Sequence, residues 1–187
     1  MTEDSPRGPL RTIIAALEAA KIPHMVVGSF ASMAHGEPRT TRDLDVVIDP
    51  RPEQLDALVA ALDPERFYVD LDVARDALRR RSMFNVIDME TGWKLDFVIR
   101  KDRPFSIEEM RRRTPARILG MDVATATAED VIVAKLEWAK LGGSDRQLED
   151  VAGILRVRGL ELDLAYIERW VAELDLAEVW QCARDMQ

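Results

Sequence analysis

A chain of 187 residues, 47% of them hydrophobic, is long enough for one buried core and too short for two large independent domains. Its 34 acidic and 26 basic residues give a net charge of −8, which argues against non-specific binding to DNA or RNA. The single cysteine, Cys182, excludes an intramolecular disulfide and a cysteine-rich zinc site, and it predicts a cytoplasmic location. With no secretory pattern at the start and no apolar run of membrane-spanning length, we expect no membrane association.

The first half of the chain predicts alternating helices and strands. Helical spacing of apolar residues occurs at 10–21, 52–62 and 73–80. Short β-rich runs occur at 24–27, 43–48 and 67–69. The first run ends at Gly28-Ser29, which predicts a tight turn from a strand into a helix.

The second half predicts a hairpin followed by helices. Residues 83–89 and 93–99 are joined by Glu90-Thr91-Gly92, where Gly92 can adopt a positive φ. Capping-box patterns at Ser106 with Glu109, Thr127 with Asp130 and Ser144 with Gln147 predict helix starts. Further helices are predicted at 163–173 and 176–183. We therefore predict an α+β fold, with a mixed sheet of four to five strands flanked by helices in residues 1–125 and a helical C-terminal region in residues 126–187.

Two acidic residues on the second strand predict a metal site. Side chains alternate across a strand, so Asp43 and Asp45 share one face while Leu44 points to the other. Their repulsion would be relieved by Mg²⁺ or Mn²⁺, a hard cation that takes oxygen ligands and shares them with phosphates. Asp96, on the hairpin, would supply a third carboxylate for in-line phosphoryl displacement.

The Gly28-Ser29 turn predicts a phosphate site beside those carboxylates. It opens a helix, whose free N–H groups and positive dipole end favour an anion. Arg39 and Arg42 flank the acidic strand and would either neutralise phosphates or be solvated loop arginines. Each of these features has an ordinary alternative.

For the acidic pair, the alternative is a solvated strand face paired with nearby arginines. Asp70 and Asp72 form a second such pair with no glycine-serine turn before it, which shows that the spacing alone is weak. The ordered combination of turn, acidic strand and later Asp96 is the stronger signal.

That combination carries a resemblance. Residues 26–29 followed by 39–48 resemble the signature of the DNA-polymerase-β-type nucleotidyltransferase superfamily, and the chain resembles its small bacterial members, which include toxins of toxin–antitoxin and abortive-infection systems. Residues 10–100 match the catalytic core and residues 127–157 the helices that follow it. In this chain Phe30 and Ala31 replace the second small or basic residues that the family more often has after the turn.

The resemblance implies roles for these residues. Gly28 and Ser29 would hold the triphosphate; Asp43, Asp45 and Asp96 would bind metal, and Asp96 would also accept the proton of the acceptor hydroxyl. The nucleotide-binding set predicted from the motif and its surroundings is Gly28, Ser29, Arg39, Thr41, Arg42 and Lys135.

Lys135 has two interpretations. It shares a helical face with apolar side chains, which favours either a phosphate contact, as the resembling toxins imply, or a surface lysine whose stem lies on that face. Arg146 and Asp150, four residues apart, predict a surface ion pair, and the alternative is that they face the nucleotide.

The predicted activity is Mg²⁺-dependent transfer of a nucleoside monophosphate, from ATP or another nucleoside triphosphate, to a hydroxyl acceptor with release of pyrophosphate. The acceptor stays open between tRNA, a protein and a small molecule. An antitoxin is a further expected partner. The alternative is a catalytically weak module of the same fold that binds a nucleotide or a partner.

Overall fold

One mixed sheet lies at the centre of the described part of the chain, residues 6–186 of a computed structural model. It has seven strands in the order β3-β4-β5-β2-β1-β7-β6 within that part. The strands are β1 (His24–Val26), β2 (Asp43–Ile48), β3 (Phe67–Tyr68), β4 (Met83–Asp88), β5 (Lys94–Ile99), β6 (Thr114–Ile118) and β7 (Met121–Thr125). The pairs β2/β5 and β1/β7 are parallel and the other neighbours are antiparallel.

The helices surround this sheet and form the C-terminal region. They are α1 (Arg7–Ala19), α2 (Gly28–His35), α3 (Pro52–Ala60), α4 (Leu71–Arg80), α5 (Pro104–Arg112), α6 (Ala128–Gly142), α7 (Asp145–Arg158), α8 (Leu164–Glu173) and α9 (Ala177–Asp185). No helix among residues 6–186 combines the length and apolarity needed to cross a bilayer. The α+β class predicted from the sequence is confirmed.

The sheet separates two apolar cores. On one face, Leu44, Val46 and Phe97 pack with residues of α1, α3 and α4. On the other face, Met25 and Val47 pack with α5 and the C-terminal helices α6 to α9. The second core therefore spans the predicted boundary at residues 125 and 126, where β7 leads into α6. The division into a core and a helical region stays a prediction.

The predicted strand count was wrong, because the pair β6 and β7 was missed. β6 lies at the sheet edge, is mostly exposed and contains Pro115, so it lacks the apolar alternation that predicts a strand. Proline is tolerated there because an edge strand leaves some N–H positions unpaired.

One predicted helix start was also wrong. Ser106 and Glu109 lie inside α5, which begins at Pro104. Proline at the first helical position is favoured because its fixed φ suits the helix and its missing N–H would be unpaired anyway. Thr127 does cap α6, and its side chain accepts from the N–H of Asp130, as predicted.

Candidate functional site

The turn between β1 and α2 lies directly against β2. Gly28 has φ +60°, and a Cβ at this position would overlap the Asp45 carboxylate and come within 2.8 Å of its Cβ. The N–H of Val27 donates to the Asp45 carbonyl at 2.9 Å, and the N–H of Ser29 donates to the Asp45 side chain. Only glycine fits between the turn and the carboxylate, for reasons of both backbone conformation and space.

Asp45 and Asp96 lie opposite each other in the sheet. The parallel pairing of β2 with β5 places Asp45 in register with Asp96 and Asp43 in register with Lys94. Leu44 and Leu95, which alternate with these residues, are fully buried in the core on the other face. The local alternation of each strand and the register between them thus bring the carboxylates of two separate segments to one face.

Asp96 has two polar neighbours. The side-chain amide of Asn85, its partner on β4, donates to Oδ1 of Asp96. The Lys94 ammonium lies 2.9 Å from Oδ2 of Asp96 and 3.7 Å from Oδ1 of Asp43. A side-chain cation therefore contacts two of the three predicted carboxylates.

Asp45 carries an incompletely compensated charge. Burial raises the pKa of its carboxyl, the nearby Asp96 and Asp43 raise it further, and Lys135 and the Ser29 N–H oppose them. An ionised carboxylate at this place is disfavoured unless another positive charge approaches. A divalent cation would supply that charge.

Two cations come near the turn from different parts of the chain. Arg39 donates to the hydroxyl of Ser29, and its Nε lies 2.9 Å from Oδ1 of Asp150. Lys135 is 4% exposed, with its Nζ 2.6 Å from Oδ2 of Asp150 and 2.9 Å from Oε1 of Gln147. The interpretation of Lys135 as a surface lysine is therefore wrong.

The predicted surface pair of Arg146 with Asp150 is wrong too. Arg146 is exposed, whereas Asp150 turns inward to Lys135 and Arg39. Helical spacing identifies residues that can meet on one helix, but it does not show whether one of them has a stronger partner on another helix or loop.

The other predicted nucleotide-binding residues lie at the edge of this group. The Thr41 hydroxyl accepts from the Asp43 N–H at 3.3 Å, and Arg42 is exposed. After the turn, Phe30 is buried and its ring lies 6.3 Å from that of Trp93. The residues that replace the family's usual turn sequence thus pack inward.

No family model and no curated protein sequence matches the chain, but solved structures match its fold. ANT(2'')-Ia in complex with adenylyl-2''-tobramycin gives a TM-score of 0.58 at 19% identity, over 89% of this chain and 94% of that one. Lincomycin-bound LnuA, a lincosamide antibiotic adenylyltransferase, gives 0.52 at 12% identity, over 79% and 95%. An antigenic nucleotidyltransferase-like protein from Paracoccidioides brasiliensis gives 0.51 at 17% identity, over 92% and 91%.

The chain has the nucleotidyltransferase fold. At these identities the likeness establishes the architecture, and the resemblance noted from the sequence is confirmed at that level.

The carboxylates of Asp43, Asp45 and Asp96 provide only part of a binding site for a divalent metal. Within residues 6–186, no group of three or more acidic, histidine or cysteine side chains is arranged to hold a metal by itself. Mg²⁺, however, is often held by one or two carboxylates and completed by waters and substrate phosphates. Asp45 and Asp96 are adjacent and supply oxygen ligands, so they fit that requirement. Asp43 lies two residues before Asp45, on the same face of β2.

Sequence reasoning missed Asn85, Lys94 and Gln147 around this nucleotidyltransferase-fold site, and it gave Asp150 a surface partner first. Lys94 could have been predicted from the sequence, because it lies two residues before Asp96 and therefore shares its face of the strand. Asn85 depends on the hairpin register, and the other two depend on how α7 packs, which no local pattern gives.

Proposed function

We propose that this protein is a Mg²⁺-dependent nucleotidyltransferase that moves a nucleoside monophosphate from a triphosphate to a hydroxyl acceptor. The observation that carries the proposal is the register of Asp45 with Asp96 beside the Gly28-Ser29 turn. The fold shared with a lincosamide antibiotic adenylyltransferase and with a protein that holds adenylyl-2''-tobramycin supports it. The metal, when bound, would neutralise charge on the phosphates and on the attacking oxygen.

The residues of the site suit each part of such a reaction. The N–H groups at the start of α2, together with Arg39 and Lys135, would hold the phosphates. The acceptor oxygen would form a bond to the α-phosphorus while the bond from that phosphorus to the bridging oxygen breaks, which releases pyrophosphate. Asp96 would accept the hydroxyl proton, and the Lys94 ammonium beside it would stabilise the carboxylate before that transfer.

We infer that the acceptor is a small hydroxylated molecule rather than tRNA. One structure that shares the fold holds adenylyl-2''-tobramycin, and another holds lincomycin. Two basic runs could suit RNA, residues 79–81 and residues 111–113, and each is partly paired within this chain. Arg79 and Arg80 pair with Asp76, and Arg112 pairs with Asp130. The net charge of −8 further disfavours a polyanionic acceptor.

The test is to incubate the protein with each labelled nucleoside triphosphate, Mg²⁺ and either the small-molecule or the RNA fraction of a cell extract. We expect label in a small molecule and stoichiometric pyrophosphate. Asp96→Asn should abolish transfer, whereas Asp72→Asn, in the other acidic pair, should transfer at the wild-type rate because Asp70 and Asp72 lie at the start of α4. Label in RNA would overturn the acceptor assignment.

The second candidate is a module that binds a nucleotide without turnover. The surroundings of Asp96 favour it, because one of its oxygens lies against the Lys94 ammonium and the other accepts from Asn85. Nucleotide binding without pyrophosphate release in every fraction would select this candidate. A toxin role with an antitoxin partner stays a prediction, and growth arrest that requires Asp45 would support it. Cytoplasmic location likewise stays an inference, from Cys182 and the need for triphosphate.

A further inference from the structure

Asp150 lies between two cations that belong to different segments. Its Oδ1 is 2.9 Å from Nε of Arg39, on the loop before β2, and its Oδ2 is 2.6 Å from Nζ of Lys135, on α6. The Asp150 side chain is only 7% exposed, and the Lys135 side chain is 5% exposed. Both carboxylate oxygens are therefore committed to cations that the proposed function assigns to the triphosphate.

This pairing decides where the two cations can point. Arg39 also donates from its other nitrogens to the Ser29 hydroxyl and, at 3.1 Å, to the Thr40 carbonyl, so its guanidinium is fixed beside the phosphate turn. The Lys135 ammonium donates to Oε1 of Gln147 and forms an ion pair with Asp150, so two neighbours on α7 fix its position.

The helix that carries Asp150 is held close to the helix of the phosphate turn. A Cβ at Gly36, which ends α2, would lie 2.9 Å from the backbone nitrogen of Ile154 on α7. The two backbones can approach this closely only because residue 36 has no side chain. α7 thus provides a rigid support one turn away from the Asp150 carboxylate.

We propose that Asp150 is a positioning residue for nucleotide binding, which it supports by orienting Arg39 and Lys135 beside the phosphate turn. This inference rests on the proposed function, since it assumes that a metal–triphosphate complex binds there. It assigns to α7, outside the sheet, a direct part in building the site.

The experiment compares Asp150→Asn with Glu149→Gln, the neighbouring exposed residue on the same helix. Calorimetry with the magnesium complexes of ATP, GTP, CTP and UTP first identifies the nucleotide that the unaltered protein binds. We expect Asp150→Asn to weaken that affinity about tenfold, the scale of one lost charge-assisted hydrogen bond, and Glu149→Gln to leave it within about twofold. Thermal melts establish that each variant is folded.

A double variant separates positioning from general loss of structure. In a Lys135→Met background Asp150 has no lysine to hold, so adding Asp150→Asn should weaken binding by less than about threefold. A full tenfold loss in that background would overturn the role proposed through Lys135. If Asp150→Asn does not fold, Gln147→Leu loosens the same lysine and should weaken binding about threefold.

The two proposals fail in different ways. If the unaltered protein binds none of the four complexes, the proposed function is wrong and this inference is wrong with it. If it binds one of them and Asp150→Asn binds equally well, the inference alone is wrong.

Discussion

Replacing Asp45 by Asn should make the metal-free protein more stable while removing its response to metal and nucleotide. The folded protein raises the pKa of Asp45, so folding disfavours the charged form. The stabilising contribution of this group is present in acid, below the unfolded pKa, and is lost as the pH rises through the folded pKa. At neutral pH the charge therefore costs stability.

The size of that cost follows from the sheet. Neighbouring strands lie about 5 Å apart, where two like charges at an effective dielectric constant of about 20 repel by about 3 kcal/mol. Lys94 on Asp96 and Lys135 near Asp45 offset much of this repulsion. We expect a net gain of about 1 kcal/mol in the free energy of unfolding, or about 2–4 °C in Tm for a chain of this size.

The assay is thermal melting at neutral pH, with and without Mg²⁺ and the nucleotide that binds. The unaltered protein should gain about 2.7 kcal/mol at a ligand concentration 100 times its Kd, and Asp45→Asn should gain almost nothing. Asp72→Asn is the matched control, since this side chain is 96% exposed in the first turn of α4. If Asp45→Asn lowers the metal-free midpoint and keeps the ligand-induced shift, Asp45 is structural and the electrostatic reasoning is wrong.

Three further predictions concern the metal, the turn and a buried acid. Mg²⁺ alone should bind weakly in calorimetry and more tightly with nucleotide; equal affinity in both conditions would contradict a site completed by phosphates. Gly28→Ala should cost more than about 2 kcal/mol in denaturant melts because its Cβ overlaps Asp45, whereas Gly92→Ala, with a similar φ but open space, should cost about 1 kcal/mol. Burial and then Asp130 raise the pKa of Glu109 to about 8, so its stabilising contribution is full below about 4.5 and is lost as the pH rises through about 8. Above pH 8, Glu109→Gln should therefore unfold at a higher midpoint than the unaltered protein, and an unchanged pH profile would show that Glu109 is ionised in the folded state.

Local patterns predicted much of this fold because they are decided by nearby residues. The strand Asp43–Ile48 was predicted with its observed bounds, since its alternation and the Asp49-Pro50 stop are both in the sequence. The Thr127 cap and the turn at Gly92 follow from short-range hydrogen bonding and backbone sterics. The edge strands β6 and β7 were missed because they are defined by their pairing with each other, and β6 lacks the apolar alternation that predicts a strand.

The partners of the site residues were harder to predict. A sequence shows that Asp45 and Asp96 each lie on a strand, but the parallel register that sets them side by side is a property of the assembled sheet. The same holds for Asp150, whose i−4 neighbour Arg146 suggested a surface pair. Its actual partners belong to α6 and to the loop before β2, and only the packing of α7 brings them within reach.

The contact between Phe30 and Trp93 gives this protein an optical signal close to the phosphate turn. Phe30 follows Ser29 directly, and its ring lies 6.3 Å from the Trp93 indole at the end of the β4–β5 hairpin. Trp170 and Trp180 are buried in the other apolar core, and Trp138 is exposed on α6. Indole emission depends on the polarity and mobility of its surroundings, so a variant that keeps Trp93 and has Phe at the other three positions would report on this turn alone. Binding at Gly28-Ser29 could then be followed in a fluorimeter within milliseconds of mixing, without labelling the nucleotide.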